Sequence, residues 1–321
     1  MAALSWFWEK EKIIPRCNAS FITLIPKVSS PEGLGDFCTI SLIGIYYKIV
    51  TQILAERLKR GIGKVISNTQ SAFIKGRQIL DEILIANETI NVLRDKRKPG
   101  LIFKVDFEKA YDSVEWSCLF ETLRRMGFRE KWIRWVHECL HSSKVSVLVN
   151  GAPTKEFTMG KGLRQGDLIA PFLFLLVAEN LNLMMEETME KGLFEGIHVG
   201  QDDIPISHLQ FADDAIFFGR WSHSNLKNLF KLLECFCKLS GMKTNMGKSK
   251  LFGVGIKEAE VGDWTRGAGC EGGKFPFNYL GVPVGASMCK REAWTPVIDK
   301  MKGKLASWKK VDLIWRTPYA R

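Results

Sequence analysis

Two adjacent carboxylates, Asp213 and Asp214, stand inside a largely apolar stretch that runs over residues 209–218. Neighbouring carboxylates between apolar strands repel each other unless a cation neutralises them. Mg²⁺ is the natural cation because it takes hard oxygen ligands. The pair therefore indicates a metal site at a hairpin tip. The alternative is an ordinary solvated turn, because Asp favours turns.

A third carboxylate, Asp106, directly follows the apolar segment 101–105. If this segment and the one that carries Asp213 are neighbouring strands, the two side chains can face one site. Two divalent ions about 3.5–4 Å apart in such a site can activate an attacking hydroxyl and stabilise a leaving group. The alternative for Asp106 is a helix N-cap before Glu108 and Lys109.

The segments that must position these carboxylates have the composition of strands. Strands are predicted at 21–25, 101–105, 145–149, 206–211 and 215–218, with short extended pieces at 250–254 and 278–280. The two strands around Asp213 are too close for anything but a tight hairpin. Asn150-Gly151 predicts a second hairpin, whose other arm extends to residue 159.

Other segments carry apolar residues at helical spacing, and several end at a glycine. The predicted helices are 41–59, 81–94, 116–126, 130–140, 171–191 and 225–239, and residues 1–15 are expected to end a helix that began in a longer protein. The glycine-rich stretch 262–273 is predicted to be an exposed loop. Strands and helices alternate without a regular βαβ rhythm, which favours an α+β fold over a doubly wound sheet.

Composition narrows the class of protein. The chain has 321 residues, of which 46% are hydrophobic and 25% charged, so collagen-like and wholly disordered proteins are excluded. Its net charge of +11 favours a polyanionic partner, nucleic acid before an anionic membrane. The longest apolar run, 168–177, is too short to cross a bilayer, so no membrane partner is expected. The eight cysteines lack zinc-site spacing, which predicts reduced thiols in the nucleus or cytoplasm.

Three motifs resemble, in order and spacing, core motifs of reverse transcriptases. They are Lys-Val-Asp-Phe-Glu-Lys-Ala-Tyr-Asp-Ser-Val (104–114), Gly-Leu-Arg-Gln-Gly-Asp (162–167) and Phe-Ala-Asp-Asp (211–214). Further segments resemble the non-LTR (LINE-type) retrotransposon branch in its plant form. They are Asn-Ala-Ser-Phe-Ile-Thr-Leu-Ile-Pro-Lys (18–27), Ala-Phe-Ile-Lys-Gly-Arg (72–77) and Tyr-Leu-Gly-Val-Pro-Val-Gly (279–285). The resemblance covers nearly the whole chain.

The resemblance implies a right-hand polymerase fold of fingers and palm, with the thumb only begun. Residues 21–285 would form the reverse transcriptase domain, after a remnant of a longer polyprotein (1–20) and before a basic, truncated start of the thumb or linker (286–321). The implied activity is RNA-directed DNA synthesis with two Mg²⁺ ions. The implied partners are an RNA template, a DNA primer and dNTPs, with an endonuclease domain upstream in the intact element.

Motif position also assigns roles to individual residues. Asp106 and Asp213 would be metal ligands, helped by the backbone carbonyl of Phe107. Asp214 would complete this catalytic and metal-binding set beside the primer end. Tyr111 stands where the family keeps an aromatic ring under the sugar, which excludes a 2′-hydroxyl by steric clash. Its alternative is an ordinary core residue.

Four further residues are implied to bind the nucleotide. Gln165 and Gly166 would touch the incoming nucleotide, Lys248 would lie near its phosphates, and Lys27 would lie near the triphosphate from the fingers side. Without the motifs, the two lysines would be solvated surface residues and Gln165 part of a turn. The functional interpretation depends on the joint occurrence of the motifs in order.

The sequence departs from the family at two places. The family usually reads Asp-Phe-Arg-Pro-Ile-Ser-Leu where residues 36–42 read Asp-Phe-Cys-Thr-Ile-Ser-Leu, so Cys38 replaces an arginine. That guanidinium would bind triphosphate oxygens as a planar fork, which cysteine cannot replace. Its loss is expected to cost about 2–4 kcal/mol, or roughly 30- to 1000-fold in rate. Residues 164–171 likewise read Arg-Gln-Gly-Asp-Leu-Ile-Ala-Pro instead of Arg-Gln-Gly-Asp-Pro-Leu-Ser-Pro.

Two alternative functions follow from these residues. The Cys38 replacement and the basic charge together allow a catalytically inactive, nucleic-acid-binding remnant of a retrotransposon. An RNA-templated RNA polymerase shares the palm carboxylates, but that class tends to place a second Asp five residues after the first, where this sequence has Tyr111.

Overall fold

The structure, a computed structural model, describes residues 2–287 and 290–315. Its helices are α1 (Ala2–Lys10), α2 (Ile45–Lys59), α3 (Ile79–Asp95), α4 (Ala110–Ser113), α5 (Trp116–Arg125), α6 (Glu130–His141), α7 (Ala170–Glu190), α8 (His223–Ser240), α9 (Glu258–Ala268) and α10 (Arg291–Trp315). Its strands are β1 (Ala19–Pro26), β2 (Phe37–Ile43), β3 (Gly100–Val105), β4 (Phe107–Glu108), β5 (Lys144–Val149), β6 (Ala152–Pro153), β7 (Phe157–Thr158), β8 (Ile197–Val199), β9 (Ile204–Ile206), β10 (His208–Phe211), β11 (Asp214–Arg220), β12 (Lys243–Thr244), β13 (Lys250–Val254), β14 (Glu271–Gly272), β15 (Phe277–Tyr279) and β16 (Val282–Val284). The predicted α+β class is confirmed.

The central sheet places the strand before Asp106 between two antiparallel neighbours. Its strand order is β10-β11-β3-β13-β14, so β3 pairs with β11 on one side and with β13 on the other. β10 and β11 form the tight hairpin that the sequence predicts around Asp213. This order brings the end of β3 and the beginning of β11 to the same edge of the sheet.

Both faces of the central sheet are covered. Successive side chains of a strand point to opposite faces of the sheet, so Phe103 and Ile102 lie on different faces. Phe103 belongs to the larger hydrophobic core, to which α7 and α8 contribute side chains. Ile102 joins a second core on the other face, formed with α3 and the β15–β16 hairpin. Burial on two faces is the reason that β3 is a nearly continuous apolar run rather than an alternating one.

A second sheet lies in the N-terminal half of the chain. Its strand order is β2-β1-β5-β6, and β7 also pairs with β5. β1 is antiparallel to β2 and parallel to β5. Asn150 and Gly151 have φ values of +50° and +80°, as a type I′ turn requires. The second predicted hairpin is therefore confirmed.

The predicted start of the helix over 41–59 is wrong. Residues 37–43 pair with residues 20–26 as β2, and the helix begins at Ile45 after the N-cap residue Gly44. The apolar residues Ile40, Leu42 and Ile43 fit both a helical period and a strand period. Pairing with β1 decides between the two.

The prediction of an exposed loop over residues 262–273 is also wrong. This stretch contains most of α9 and the short strand β14, which pairs with β13 in parallel. Val261 and Thr265 are buried where α9 packs against β13. Tertiary packing therefore holds a helix that contains two glycines, against their low helix propensity.

The described cysteines are all free thiols, and Cys289 lies outside the described residues. Of the predicted basic C-terminal part, residues 290–315 include α10, and residues 316–321 lie outside the described residues. Across the two described ranges, no helix has both the length and the apolar character that crossing a membrane requires.

Candidate active site

Three carboxylates converge at one edge of the central sheet. β3 and β11 are antiparallel, so Asp106, the residue after β3, lies beside Asp214, the first residue of β11. The β10–β11 hairpin has a two-residue tip, which consists of Ala212 and Asp213. The structure thus brings together the acidic residues of two motifs that lie more than a hundred positions apart in the sequence.

Burial and neighbouring carboxylates raise the pKa values of Asp213 and Asp214. Partial burial raises the pKa of Asp213, and the charges of Asp214 and Asp106 raise it further. Burial also raises the pKa of Asp214. The positive charge of Lys104 lowers this pKa, and the negative charge of Asp106 raises it. Mutual repulsion of this kind is relieved when a cation binds between the groups. Both Asp213 and Asp214 remain open to solvent, so a cation can reach them.

The donor set is suited to an incompletely enclosed cation. Among the described residues, no three His, Cys, Asp or Glu side chains lie close enough together to hold a metal ion by themselves. Mg²⁺ usually keeps several waters and is bound through one or two carboxylates plus substrate phosphates, rather than by a complete protein cage. An open set of hard carboxylate oxygens fits that type of coordination.

The turn between β12 and β13 fixes the backbone around Asp106. The Asp106 N–H donates a hydrogen bond to Ser249 Oγ at 3.1 Å, and the Asp106 carbonyl accepts one from Asn245 N–H at 2.7 Å. Ser249 is fully buried, and its hydroxyl donates to the Asn245 carbonyl at 2.8 Å. Lys248 belongs to the same turn and has an exposed side chain. The structure therefore places Lys248 near the backbone of Asp106.

Phe107 and Tyr111 follow Asp106 directly. Phe107 begins β4, which pairs with β12, and its ring lies 6.0 Å from that of Phe236. Tyr111 lies in α4 and stacks on Phe174 with 4.5 Å between ring centroids. Burial raises the pKa of the Tyr111 hydroxyl well above its ordinary value, and the charge of Asp213 raises it further. Tyr111 therefore lies within electrostatic range of the hairpin tip.

The loop that carries Gln165 and Gly166 docks on strand β2. Ser41 N–H donates to the Gln165 carbonyl at 2.9 Å. Gly166 has a φ of +101°, and a Cβ there would lie 3.1 Å from the Ser41 carbonyl oxygen. The Cys38 thiol donates to Gln165 Oε1 at 3.3 Å. The residue that replaces the family arginine thus contacts a predicted nucleotide-binding residue.

Lys27 lies just after β1 and is exposed. Its backbone N–H bonds to the Asp36 carbonyl at 2.7 Å, and its ammonium donates to the Gly35 carbonyl at 3.3 Å. Burial raises the pKa of Asp112, and the charges of Lys109 and Lys27 lower it. This interaction places the Lys27 ammonium within electrostatic range of α4, the helix that contains Tyr111.

Gln70 contacts the hairpin tip, and the sequence analysis did not identify it. Its Oε1 accepts a hydrogen bond from Ala212 N–H at 2.9 Å, and its Nε2 donates to the Ala212 carbonyl at 3.4 Å. Only 1% of Gln70 is exposed. Its one sequence signal is its place two residues before the motif at 72–77. A single polar residue does not reveal its distant partner.

A buried network of charged and polar side chains holds the loop that carries Gln165. Arg164 and Asp167 form an ion pair at 3.6 Å, with 2% of each side chain exposed. The Tyr47 hydroxyl donates to Asp167 Oδ2 at 2.7 Å, and the Arg164 guanidinium lies 4.2 Å over the Tyr47 ring. Arg164 also donates to Asn18 Oδ1 at 2.8 Å. Because buried charges require such partners, Arg164 is a structural residue of its motif.

Comparison with known proteins assigns the chain to a family. Residues 25–284 match the family described as "Reverse transcriptase (RNA-dependent DNA polymerase)". The chain is 24% identical over 245 residues to the transposon TX1 uncharacterized 149 kDa protein of Xenopus laevis, covering 75% of this chain and 18% of that protein. It is 28% identical over 228 residues to the retrovirus-related Pol polyprotein from the type-1 retrotransposable element R2 of Popillia japonica, covering 71% of this chain and 31% of that protein.

A further relative is similar to a shorter part of the chain. The chain is 43% identical over 67 residues to the uncharacterized mitochondrial protein AtMg01250 of Arabidopsis thaliana, covering 21% of this chain and 55% of that protein. The chain spans less than a third of the length of the two transposon proteins.

Solved structures show the same fold at low sequence identity. Telomerase from Candida albicans, in complex with the TWJ fragment of telomeric RNA, superposes with a TM-score of 0.59 at 12% identity, covering 88% of this chain and 47% of that one. Apo telomerase from Candida tropicalis, truncated from its C-terminal domain, superposes with a TM-score of 0.57 at 14% identity, covering 88% and 57%. The predicted polymerase fold is confirmed. On the family match and this shared fold, the chain belongs to the reverse transcriptase (RNA-dependent DNA polymerase) family.

Proposed function

We propose that this chain is an RNA-directed DNA polymerase, which adds deoxynucleotides to the 3′-hydroxyl of a primer on an RNA template. The observation that carries the proposal is the convergence of Asp106 with Asp213 and Asp214 at one sheet edge, in a chain of the reverse transcriptase family. Phosphoryl transfer needs little covalent chemistry from the protein. It depends on positioning and on electrostatic stabilisation.

Two Mg²⁺ ions complete the proposed site. Asp106, Asp213 and Asp214 would hold them, with the carbonyl of Phe107. When bound, the ions supply the charge that activates the primer hydroxyl and stabilises the leaving pyrophosphate. The raised pKa values of Asp213 and Asp214 support this proposal, because burial and, to a smaller extent, neighbouring carboxylates disfavour their charged forms without a cation.

The incoming nucleotide is proposed to bind between α4 and the loop that docks on β2. Tyr111 would lie under the sugar and exclude a 2′-hydroxyl, because its ring is held in place by Phe174. Gln165 and Gly166 would contact the nucleotide itself. Lys27 and Lys248 would neutralise its phosphates, and both side chains are exposed.

A basic cleft beside the hairpin tip supports binding of the nucleic acid. This cleft has a volume of about 1140 Å³, and its lining includes Phe211, the residue before the tip. Arg60, Lys64 and Lys75 also line the cleft, and all three have exposed side chains. Phosphate oxygens of a template strand are the chemistry that such a cleft attracts.

The chain is further proposed to be the reverse transcriptase domain of a non-LTR retrotransposon, with 21–285 as fingers and palm and 286–321 as the start of the thumb. The R2 and TX1 relatives support this assignment. Both come from animals, so the plant form of the branch stays a prediction that depends on the motifs at 18–27, 72–77 and 279–285. An upstream endonuclease domain in the intact element stays a prediction as well.

The Cys38 contact favours a second candidate function, a nucleic-acid-binding remnant without catalysis. The thiol occupies the position of the family arginine and donates a hydrogen bond to Gln165. The site therefore lacks one planar cation for the triphosphate, while the basic cleft is unaffected by the replacement.

Primer extension tests the proposal directly. The purified chain is supplied with a primed RNA template, Mg²⁺ and dNTPs. We expect extension that falls by at least about 10²- to 10³-fold in Asp213→Asn. Asp202→Asn removes an equally charged, exposed side chain from the loop between β8 and β9 and serves as the matched control. A folded chain that binds RNA in a salt-sensitive way, but gives no extension with Mg²⁺ or Mn²⁺, would reject the polymerase and support the remnant.

A further inference from the structure

The segment 66–72 lies against strand β10 and reaches the hairpin tip. Ser71 N–H donates to the Gln210 carbonyl at 3.0 Å, and Gln210 N–H donates to the Thr69 carbonyl at 2.7 Å. Gln70 thus forms an isolated parallel bridge with Gln210. Two backbone bonds fix the main chain of Gln70 beside the strand, and its side chain extends from there to the tip.

The Gln70 side chain satisfies both polar groups of Ala212. Its Oε1 accepts from Ala212 N–H at 2.9 Å and from Ala72 N–H at 3.0 Å, and its Nε2 donates to the Ala212 carbonyl at 3.4 Å. The Ala212 carbonyl belongs to the peptide that joins Ala212 to Asp213. A rotation of that peptide would therefore break the Nε2 bond and move the Asp213 side chain.

Ala212 needs such support because its backbone is strained. Its φ of +55° lies in the left-handed region, which is unfavourable for a residue with a Cβ because the Cβ comes too close to the following carbonyl oxygen. Tight hairpins usually place Gly, Asn or Asp at such positions. A strained conformation persists only where the surrounding structure fixes it, and Gln70 supplies two of the bonds that do so.

Gln70 is itself anchored to helix α7. The Arg77 guanidinium donates to the carbonyls of Ser67 and Gln70, and to that of Ile66 at 2.9 Å. Glu179 of α7 accepts from Ser67 N–H at 3.1 Å. The segment 66–70 is therefore a rigid support between α7 and the hairpin tip.

We propose that Gln70 is a positioning residue for Asp213, which it orients by holding the Ala212 backbone. Arg77 acts one step further away, because it fixes the carbonyl of Gln70. This inference depends on the proposed polymerase function for its catalytic consequence. Its structural consequence, the fixed peptide before Asp213, does not depend on activity.

Gln70→Met is the most informative variant. Methionine has nearly the volume of glutamine but cannot make these three hydrogen bonds. We expect the variant to fold and to bind RNA within about twofold of the unmodified chain. We expect a 10- to 100-fold loss of extension and a several-fold rise in the Mg²⁺ concentration for half-maximal activity, as is typical when a partner that orients a metal ligand is removed.

Amide hydrogen exchange gives a second readout that a general loss of stability would not mimic. In Gln70→Met the Ala212 amide should exchange faster, while amides in the middle of β11 keep their protection. Gln210→Met is the matched control. It makes the same substitution two residues before Ala212, at a buried glutamine whose Oε1 has no hydrogen-bond partner. The control should keep both the exchange rate and the Mg²⁺ dependence.

The outcomes separate this inference from the proposed function. If the unmodified chain gives no extension, the proposed function fails. Exchange at Ala212 and Mn²⁺ affinity, measured by electron paramagnetic resonance, then still test Gln70. A folded Gln70→Met whose Ala212 exchange and metal affinity stay within about twofold overturns the inference. Should that variant not fold, Gln70→Asn, which keeps the amide but is one methylene too short, is measured by the same criteria.

Discussion

Cys38 is the residue at which the chain differs most from the chemistry expected of its site. Its thiol donates to Gln165 Oε1 at 3.3 Å, so a weak donor holds the side chain of a residue that we propose to contact the nucleotide. An arginine in its place would bring a permanent charge and a planar set of donors suited to phosphate oxygens.

Cys38→Arg is therefore expected to raise kcat/KM for dNTPs by roughly 30- to 1000-fold. Steady-state primer extension below KM measures the change. Cys38→Lys carries the same charge without the planar fork, and it should give a clearly smaller gain. If neither variant gains activity while both fold, the Cys38 replacement is not the step that limits this chain.

Glu82 is a buried carboxyl that the proposed chemistry does not use. It is 2% exposed and accepts a hydrogen bond from the Tyr279 hydroxyl at 3.0 Å. Burial raises the pKa of Glu82 to about 7. Hydrogen bonds from Ser71 and Tyr279 lower this pKa, and the negative charge of Asp214 raises it. The folded chain therefore binds this proton more tightly than the unfolded chain does.

The resulting stability is present below the unfolded pKa and is lost as the pH rises through about 7. Glu82→Gln keeps a neutral hydrogen-bonding group, so it should match the unmodified chain near pH 5. Near pH 8 it should be more stable by roughly 2–3 kcal/mol. Urea unfolding at the two pH values measures this difference. Glu88→Gln, on the exposed side of the same helix, should show no such pH dependence. An equal effect of both substitutions at pH 8 would contradict the prediction.

At the scale of elements, α4 and the Gln165 loop are joined through Gly162. Gly162 N–H donates to the Val114 carbonyl at 2.8 Å, and Leu163 N–H donates to the Tyr111 carbonyl at 2.8 Å. Gly162 has a φ of +83°, and a Cβ there would lie 2.5 Å from the Asp112 carbonyl oxygen. This close backbone contact therefore fixes Tyr111, proposed to contact the sugar, relative to the loop of Gln165, proposed to contact the nucleotide.

Gly162→Ala is expected to push the Gln165 loop away from α4, because the new Cβ would clash with the Asp112 carbonyl oxygen. A backbone carbonyl cannot move aside as a flexible side chain can. We expect a loss of roughly 2–4 kcal/mol in the free energy of unfolding and a higher KM for dNTPs. Gly160→Ala is the matched control, since nothing lies within 4 Å of a Cβ at that position. Chemical unfolding and KM measurements on both variants check the prediction, and equal behaviour of the two would contradict it.

Local pattern predicts the elements wherever a segment has one dominant period. The short apolar strand at 101–105 and the Asn150-Gly151 turn are local in this sense, and both are confirmed. Local pattern does not decide the other two segments. Strand pairing with β1 decides the structure of residues 40–43, and helix packing on β13 decides that of the stretch 262–273. Periodicity cannot report contacts that form only after the chain has folded.

The same limit applies to the candidate site. The convergence of Asp106 with Asp213 follows from two strand signals and from the hypothesis that the strands are neighbours. The support from Gln70 and the hydrogen bond of Arg164 to Asn18 do not follow, because each of these side chains finds a distant partner through the tertiary structure. The roles of the site residues stay predictions until they are measured.

At the scale of the whole molecule, the net charge of +11 favours binding to polyanions, but it does not say where they bind. The structure offers a location, since Arg60, Lys64 and Lys75 line the cleft beside the hairpin tip. If phosphates bind there, the affinity for single-stranded RNA should fall as salt rises, with a log–log slope of about −0.7 for each phosphate contact.

Replacing Arg60, Lys64 and Lys75 with Gln tests that location. If each contacts one phosphate, the slope should become shallower by about 2, and fluorescence anisotropy of labelled RNA across a salt series measures it.

Replacing Lys227, Lys231 and Lys238, which are exposed on α8, removes the same charge from another part of the surface and serves as the control. A purely global effect of net charge would change the slope equally in both triple variants, so equal slopes would contradict binding in the cleft. A shallower slope in the cleft variant alone would place the nucleic acid beside Asp213, because Phe211 of the same hairpin lines that cleft.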